Sequence, residues 1–338
     1  MPVRRIPCIG GLLSSVALLA VAHAPASAQT YTVDSITAPA FGTLVAATTG
    51  PTTYSNNGVV AVSSGSGVVY SGPVTRGAVT IRCVDGSGNP RRCNNAANFA
   101  RVTVGTSGTT SGRALAISNF TAVSGTGTVG SGTNSAASLD FSFSGWSAAG
   151  TRTFFLDVDL PINGDNGGGT TGAASSGFYV RVAKDPTVPV TGLTASATAT
   201  VRRSLQVNKL TDLSFGTIIR PPSGSGTVTI ATGGGRSLGG AVPPIGMTGV
   251  GSQYLFGAAT YTLKGEPGTA FTLTVPASVD LLGPSNHLLI PLTANISGSL
   301  SMDVSGSMAL NIGGVVTISS STNTGLYSQT FNVSVVYN

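Results

Sequence analysis

The sequence offers few side chains that could perform catalysis. Beyond residues 1–28, the single histidine is His287, in the turn-rich run Gly-Pro-Ser-Asn-His. A Ser-His-Asp arrangement needs a histidine beside its nucleophile, and no nucleophile-elbow motif is found in the chain. An exposed loop histidine is the simpler interpretation. The sequence therefore predicts a protein that is not an enzyme and that uses no cofactor.

Three aspartates form the best candidate for a metal site. Asp157 and Asp159 alternate along residues 154–160 and so face the same side of a strand, and Asp165 follows in the run Asn-Gly-Asp-Asn-Gly. Carboxylate oxygens grouped in this way could hold calcium, but the spacing does not match an EF-hand loop. A solvent-facing strand followed by a turn explains the same residues. We predict no metal, with calcium at these aspartates as the alternative.

Cysteine chemistry points to export. Cys8 lies in the N-terminal segment, which leaves Cys83 and Cys93 as an even pair separated by turn-forming residues. Two cysteines without histidine partners do not make a zinc site. In an oxidising compartment such a pair is typical of a disulfide. We therefore predict a Cys83–Cys93 disulfide that closes a hairpin-like loop.

Residues 1–28 have the three parts of a secretory signal peptide. Arg4 and Arg5 supply the positive charge, residues 9–22 form an apolar run, and Ala-Ser-Ala at 26–28 is the small-residue cleavage site. The apolar run is too short to span a bilayer, and no later stretch is long enough. We expect the mature chain to begin near Gln29 and to be exported.

The composition indicates an all-β protein. Hydrophobic residues make up 41% of the chain and charged residues only 8%, which excludes a charge-rich disordered protein. Thr, Ser, Val and Gly alternate between clusters of turn formers, and no stretch has a sustained helical period. The length suits two sandwiches better than one.

The positive charge does not indicate nucleic-acid binding. Without Arg4 and Arg5, 15 basic residues face 11 acidic ones, a net charge of +4. No basic run with interleaved aromatic residues occurs. Four arginines lie around the cysteine loop, and a solvated loop is the simpler interpretation of them. They are Arg76, Arg82, Arg91 and Arg92.

The last fourteen residues, 325–338, have the pattern of a half-buried strand. Apolar and aromatic side chains share one parity, whereas Ser and Asn residues occupy the other. Apolar residues spaced by two would spread around a helix, so a helix is excluded. The residues that we expect on the buried face are Tyr327, Phe331, Val333, Val335 and Tyr337.

Sequence motifs that recur in the same order along the chain predict two tandem domains. Phe41-Gly42 recurs as Phe215-Gly216, and later motifs repeat in the same order. We place the domains at 29–191 and 192–338, joined by a proline-containing linker at 185–192. Residues 193–201 would be the first strand of the second domain or a strand that it borrows. Residues 265–268 are expected to form a hairpin turn.

The C-terminal segment resembles the signature of chaperone–usher pilus subunits, with Tyr337 next to last and Gly325 fourteenth from the end. Further motifs appear in order: Leu-Ser-Phe-Gly at 213–216, Lys-Gly-Glu-Pro-Gly at 264–268 and Asn-Ile-Gly-Gly-Val-Val at 311–316. Together they resemble a pilin-like domain-of-unknown-function family of exported bacterial proteins, over roughly 194–338. The first domain lacks the Gly-Glu-Pro-Gly motif, which leaves open whether it is a divergent pilin-like domain or an adhesin head.

The resemblance implies two immunoglobulin-like, pilin-like antiparallel β-sandwiches after the signal peptide. It implies an adhesive or structural subunit of a cell-surface fimbria that passes through the periplasm and is joined by strand addition at residues 325–337. The partners would be a periplasmic chaperone, an outer-membrane usher, neighbouring subunits and a host or surface ligand. The alternative is a self-contained secreted module that binds carbohydrate or another surface ligand. Trp146, the only tryptophan, could stack on a sugar, although core packing is its more usual role.

Overall fold

The computed structural model describes residues 29–95, 97–244 and 255–338, so the predicted signal peptide lies outside the described residues. The all-β prediction is confirmed. In the described part of the chain, the one helical element is a short 3-10 helix, Pro90–Cys93, and no helix there is long and apolar enough to cross a bilayer.

The strands fall into an N-terminal and a C-terminal group that share no sheet. The N-terminal strands are β1 Thr30–Thr37, β2 Ala40–Val45, β3 Thr52–Asn56, β4 Val60–Ser64, β5 Val68–Thr75, β6 Gly77–Val84, β7 Ala100–Ser111, β8 Ser118–Ser124, β9 Thr128–Asn134, β10 Ser138–Ser144, β11 Thr151–Ile162, β12 Gly172–Lys184 and β13 Gly192–Arg202. The C-terminal strands are β14 Gln206–Thr211, β15 Ser225–Ile230, β16 Arg236–Gly240, β17 Ala259–Lys264, β18 Ala270–Thr274, β19 Ser278–Leu282, β20 His287–Ala294, β21 Gly298–Ser301, β22 Ser307–Ser319 and β23 Ser334–Tyr337.

The N-terminal group forms a sandwich with one continuous core. One sheet has the order β1-β6-β11-β3-β4, with β8 also paired to β11, and the other has the order β5-β2-β13-β12-β7-β10-β9. Alternation decides which side chains are inside: along β11, every second residue from Phe154 to Ile162 is buried. Large aromatic side chains such as Phe41, Phe141 and Phe178 are almost fully enclosed. This sandwich therefore completes its own core.

The C-terminal group forms a second sandwich from a larger and a smaller sheet. The larger has the order β14-β17-β22-β15-β16, with β20 on β22 and β19 on β20. The smaller has the order β21-β18-β23. Its core is divided into two clusters, one around Leu263, Phe271 and Leu310 and one around Val228 and Ile290. Many of the apolar side chains packed on these clusters are only half-buried.

Strand β13 lies in the first sandwich. It pairs antiparallel with β12 from Gly172↔Val201 to Arg181↔Gly192 and parallel with β2, and Ala197, Ala199 and Val201 belong to the first core. The proline-containing residues 185–191 are thus the connection between two paired strands. By strand pairing we place the join between the domains at residues 203–205, C-terminal to the boundary predicted at 191/192.

The repeated Phe-Gly motif has the same backbone conformation in both domains. Gly42 and Gly216 both have φ of +68°, a left-handed conformation that favours glycine. The phenylalanine before it is fully buried in the first copy, Phe41, and half-buried in the second, Phe215. The hairpin expected at 265–268 is wrong, because β17 and β18 belong to different sheets. This turn instead carries the chain from one sheet to the other.

Candidate functional site

The alternation predicted for the C-terminal segment is present in the structure. Phe331, Val333, Val335 and Tyr337 are half-buried, and the residues between them are exposed. Apart from an isolated antiparallel bridge between Ser328 and Leu282, however, only β23 is paired: its residues face β18 from Thr274↔Ser334 to Phe271↔Tyr337. The expected strand over the whole segment is therefore shortened. Within the described chain, the backbone of 329–333 makes no hydrogen bond to another strand, since β18 ends opposite Ser334.

The unpaired side of β23 lies beside a second unpaired edge. β23 is the last strand of the smaller sheet, and β14 is the last strand of the larger one. The two strands are in contact but are not hydrogen-bonded to each other. An open edge presents a row of free N–H and C=O groups that can pair with another strand. We call the space between β14 and β23 the edge gap.

The edge gap has an apolar floor. Val207 and Leu213, on the β14 side, and Val333 and Val335, on the β23 side, are half-buried against the first core cluster of this sandwich. Phe331 packs on both core clusters and so lies between them. Apolar surface left in water is unfavourable by about 25 cal/mol per Å² relative to burial. An added strand with alternating apolar side chains would remove this surface from water.

Tyr337 closes one end of the edge gap. Its hydroxyl accepts a hydrogen bond from the Glu266 amide at 2.7 Å and donates one to the Arg203 carbonyl at 3.0 Å. Gly265 is required beside it, because a Cβ there would lie 2.9 Å from the Tyr337 hydroxyl oxygen. Burial raises the pKa of Tyr337. The penultimate tyrosine thus joins the last strand to the turn at 265–268 and to the domain join.

The end of the chain also contacts the first sandwich. Tyr70, on β5, donates its hydroxyl hydrogen to the backbone oxygen of Asn338, and its ring packs edge-on against Tyr337 with centroids 6.2 Å apart. The guanidinium of Arg202 lies 4.9 Å from the Tyr70 ring centroid, a cation–π distance. The last two residues of the second sandwich therefore also contact the first sandwich.

Gly325 and Tyr327 lie in a different place from the other predicted residues. Gly325 has φ of +148°, and a Cβ there would come within 2.5 Å of Pro284. The ring of Tyr327 packs on Gly283, and its single hydroxyl hydrogen is shared between the side-chain oxygen of Asn286 and the Asn323 carbonyl. These two residues anchor the segment to the 283–286 turn. The edge gap is formed by the remaining four predicted residues and by β14, which no sequence motif indicated.

The predicted disulfide is confirmed. Cys83 and Cys93 are bonded, with Cα atoms 6.1 Å apart, and both side chains are fully buried in the first core. The bond ties the end of β6 to the 3-10 helix. A disulfide in this position is typical of an exported protein.

The three candidate calcium ligands have separate protein partners. Asp157 forms a bidentate ion pair with Arg76, at 2.7 and 3.0 Å, and Asp159 accepts from Asn119. Asp165 lies at the domain join beside Arg113. Within 29–95, 97–244 and 255–338, no group of three acidic, histidine or cysteine side chains is arranged to hold a metal.

The tryptophan, the histidine and most of the arginines considered as candidate binding residues have partners within the protein. Trp146 is buried and packs against Tyr31 and Phe143, with ring centroids 5.3 and 5.7 Å away, so it does not present a sugar-stacking face. His287 is exposed and pairs through Nδ1 with Asp280 at 2.9 Å. Three of the four arginines around the cysteine loop form ion pairs: Arg76–Asp157, Arg82–Asp34 and Arg92–Asp85.

The second sandwich matches a known family. Residues 205–337 match the model of a family described as a domain of unknown function, DUF4402, and this range contains β14 to β23. The predicted resemblance is confirmed for this part of the chain: the second sandwich is similar to DUF4402 domains. The first sandwich, including β13, lies outside the match. No curated protein matches the chain at a significant level.

One solved structure that the chain resembles is described as a chaperone–tip adhesin complex vital for the biogenesis of CFA/I fimbriae. The alignment covers 70% of this chain and 83% of that one, at 8% sequence identity and a TM-score of 0.23. A TM-score this low does not establish a common fold. The case for function therefore depends on the geometry of the edge gap.

Proposed function

We propose that the protein is an exported subunit of a fimbria-like cell-surface assembly and that its second sandwich accepts a β-strand from another chain. The observation that carries the proposal is the edge gap: two adjacent, unpaired strand edges above half-buried apolar side chains. Strand addition supplies main-chain hydrogen bonds from the edges and apolar pockets for alternate side chains. In the periplasm a chaperone provides the strand, and at an outer-membrane usher a neighbouring subunit replaces it.

The first sandwich supports a position at the end of such an assembly. Its described N-terminal strand, β1, is paired with β6 from Thr30↔Val84 to Thr37↔Ala78, and Tyr31 and Val33 are buried in its core. This strand is committed to its own domain and is not free to be donated. In this proposal the second sandwich accepts a strand, β1 is not donated, and the first sandwich acts as the exposed adhesive part.

Hydrogen exchange tests strand addition directly. The mature chain is incubated with a synthetic peptide of about ten residues with alternating valine and threonine, about the length of a strand. We expect amide protection to increase in β14 and in residues 329–336, because their free groups become paired. If the peptide leaves the exchange rates of β14 and residues 329–336 unchanged, and the chain is a stable soluble monomer, the self-contained secreted module is favoured instead.

Adjacent valines provide matched variants. Val335 faces the core, whereas Val336 is 65% exposed on the opposite face. Val335→Asp places a carboxylate in the apolar floor and should abolish the peptide-induced protection, while Val336→Asp should retain it. Near-UV circular dichroism before peptide addition shows whether each variant keeps its tertiary packing. Equal protection in both variants would contradict binding in the edge gap.

Removing the first part of β1 tests the terminal position. A variant without residues 29–35 loses buried side chains from the first sandwich and should melt at a lower temperature, but its edge gap should still accept a strand. Loss of co-assembly with a chaperone or a second subunit, despite an intact second sandwich, would show that this segment is donated.

A further inference from the structure

A polar cleft lies where the two sandwiches meet. Its volume is about 480 Å³, within the roughly 300–1,000 Å³ common for small-molecule sites, which occur preferentially between domains. It is separate from the apolar floor of the edge gap. Its charged and hydroxyl-bearing walls come from the first sandwich, the join and the second sandwich: Arg113, Asp165, Arg203, Ser204, Lys264 and Ser305.

The carboxylate in the cleft is already bound by the protein. Asp165 Oδ2 accepts hydrogen bonds from the backbone and side chain of Ser204 and is within 3.5 Å of the Gln206 amide nitrogen. Its Oδ1 faces the buried guanidinium of Arg113 at 3.4 Å. These contacts neutralise one of the three cations in the cleft walls.

The other two cations are unopposed. The side chains of Arg203 and Lys264 form no hydrogen bond or ion pair with any residue in the described ranges. The Arg203 guanidinium is held over Gly306, since a Cβ there would lie 3.3 Å from its Nη1. A glycine with φ of +70° thus leaves room for this guanidinium at the cleft wall. Among the side chains that line the cleft, three cations therefore face one carboxylate, and the Glu266 carboxylate lies alongside, where it accepts a hydrogen bond from the Arg203 backbone N–H.

Two buried polar atoms indicate that the network in the cleft is incomplete. Arg113 is 95% buried, being only 5% exposed, yet its Nε has no hydrogen-bond partner among the described residues. Asp165 Oδ1 also lacks a hydrogen bond there. Buried polar groups in native proteins are almost always paired. Because Asp165 Oδ1 lies 3.4 Å from the Arg113 guanidinium, the group left without any partner is a donor, the Arg113 Nε–H.

We propose that the interdomain cleft binds a small organic anion that carries a carboxylate or a sulfate. Arg203 and Lys264 bind the anionic group through charge-assisted hydrogen bonds. The polar walls do not suit an apolar ligand. Gln206, the first residue of β14, lines the cleft, but the cations that bind the anion, Arg203 and Lys264, lie outside β14 and β23, so the site does not require an added strand.

Titration calorimetry and NMR with the mature chain test the site with three probes: glucuronate, glucose 6-sulfate and glucose. We expect both anionic probes to bind, glucose not to bind, and binding to weaken when the salt concentration rises, because screening reduces the attraction. Binding of glucuronate alone identifies a carboxylate ligand, and binding of the sulfate alone identifies a sulfated one. Failure of both anionic probes, or equal binding of glucose, overturns the proposal.

Matched variants locate the binding. Arg203→Gln with Lys264→Gln should weaken anion binding about tenfold or more, the loss expected for charge-assisted contacts. Arg91→Gln with Arg181→Gln removes the same charge from exposed positions of the first sandwich and should leave binding unchanged. Equal weakening in the two double variants would show a non-specific charge effect and refute the cleft. Unchanged melting curves confirm that each variant is folded.

Discussion

Tyr337→Phe removes one oxygen atom from the point where the last strand, the 265–268 turn and the domain join meet. The hydroxyl makes two hydrogen bonds, to the Glu266 amide and the Arg203 carbonyl. Each such bond stabilises a protein by about 0.5–1.5 kcal/mol, so the pair contributes about 1–3 kcal/mol. Because Tyr337 is only half-buried, water can replace part of this, and we expect a loss of about 1–2 kcal/mol.

Differential scanning calorimetry of the mature chain measures the loss. A destabilisation of this size should lower the melting temperature of the second sandwich by roughly 3–8 °C. Tyr179→Phe is the matched control, because the Tyr179 hydroxyl makes no hydrogen bond within the described residues and its removal should change little. An unchanged second transition in Tyr337→Phe, or an equal loss in the control, would refute the reasoning.

The pH dependence of the same variant gives a second check. Burial raises the pKa of Tyr337 above the value of about 10 that an unfolded tyrosine has. A group with a raised folded-state pKa contributes stability that is complete below the unfolded pKa and is lost as pH rises through the folded value. The difference between the wild type and Tyr337→Phe should therefore be constant near pH 7 and should shrink above about pH 10. A difference that grows with alkaline pH would contradict this assignment.

Three further outcomes are expected. The double variant Cys83→Ser with Cys93→Ser removes the disulfide that closes a loop of sequence separation 10, and the first sandwich should lose about 3 kcal/mol of stability. Its melting temperature should fall by roughly 5–10 °C relative to the wild type, both measured without reductant. Burial raises the pKa values of Tyr31 and Tyr54 to about 12, so the first sandwich should lose stability between about pH 10 and 12, measured by urea unfolding; constant stability there would contradict their burial. Chelation with EDTA should leave both melting transitions unchanged because Asp157 is paired with an arginine, and a lower melting temperature would point to a bound metal.

Periodicity predicts which side chains are inside, but not which strands are neighbours. The parity of Phe331, Val333 and Val335 follows from a period of two, and the structure has the same residues half-buried. The unpaired edge of β14 could not be predicted in this way, because Gln206–Thr211 has only one apolar residue, Val207, facing the core. Sheet order depends on contacts between distant segments, and these leave no local pattern in the sequence.

The position of the domain join also could not be predicted from local sequence patterns. Small apolar and hydroxyl residues alternate along 193–201, a pattern that fits either sandwich equally well. The structure decides for the first, where Gly192 lies so close to β12 that a Cβ would be 1.9 Å from the Val180 carbonyl oxygen. The prolines at 185–191, which indicate a linker by composition, lie in a connection between paired strands. Composition alone does not distinguish these two kinds of segment.

The position of β13 also gives a physical reason for the edge gap. This strand directly precedes the region that matches the DUF4402 model, but it is inserted between β12 and β2, where it completes the first core. The second sandwich therefore begins at β14 without a preceding strand to cover the edges of β14 and β23. Phe331 and Val335 are therefore half-buried because no strand covers them. Phenylalanine and valine side chains in the core of the first sandwich are buried. A strand from a second chain would cover the core and pair the open edges of the second sandwich, as β13 does in the first sandwich.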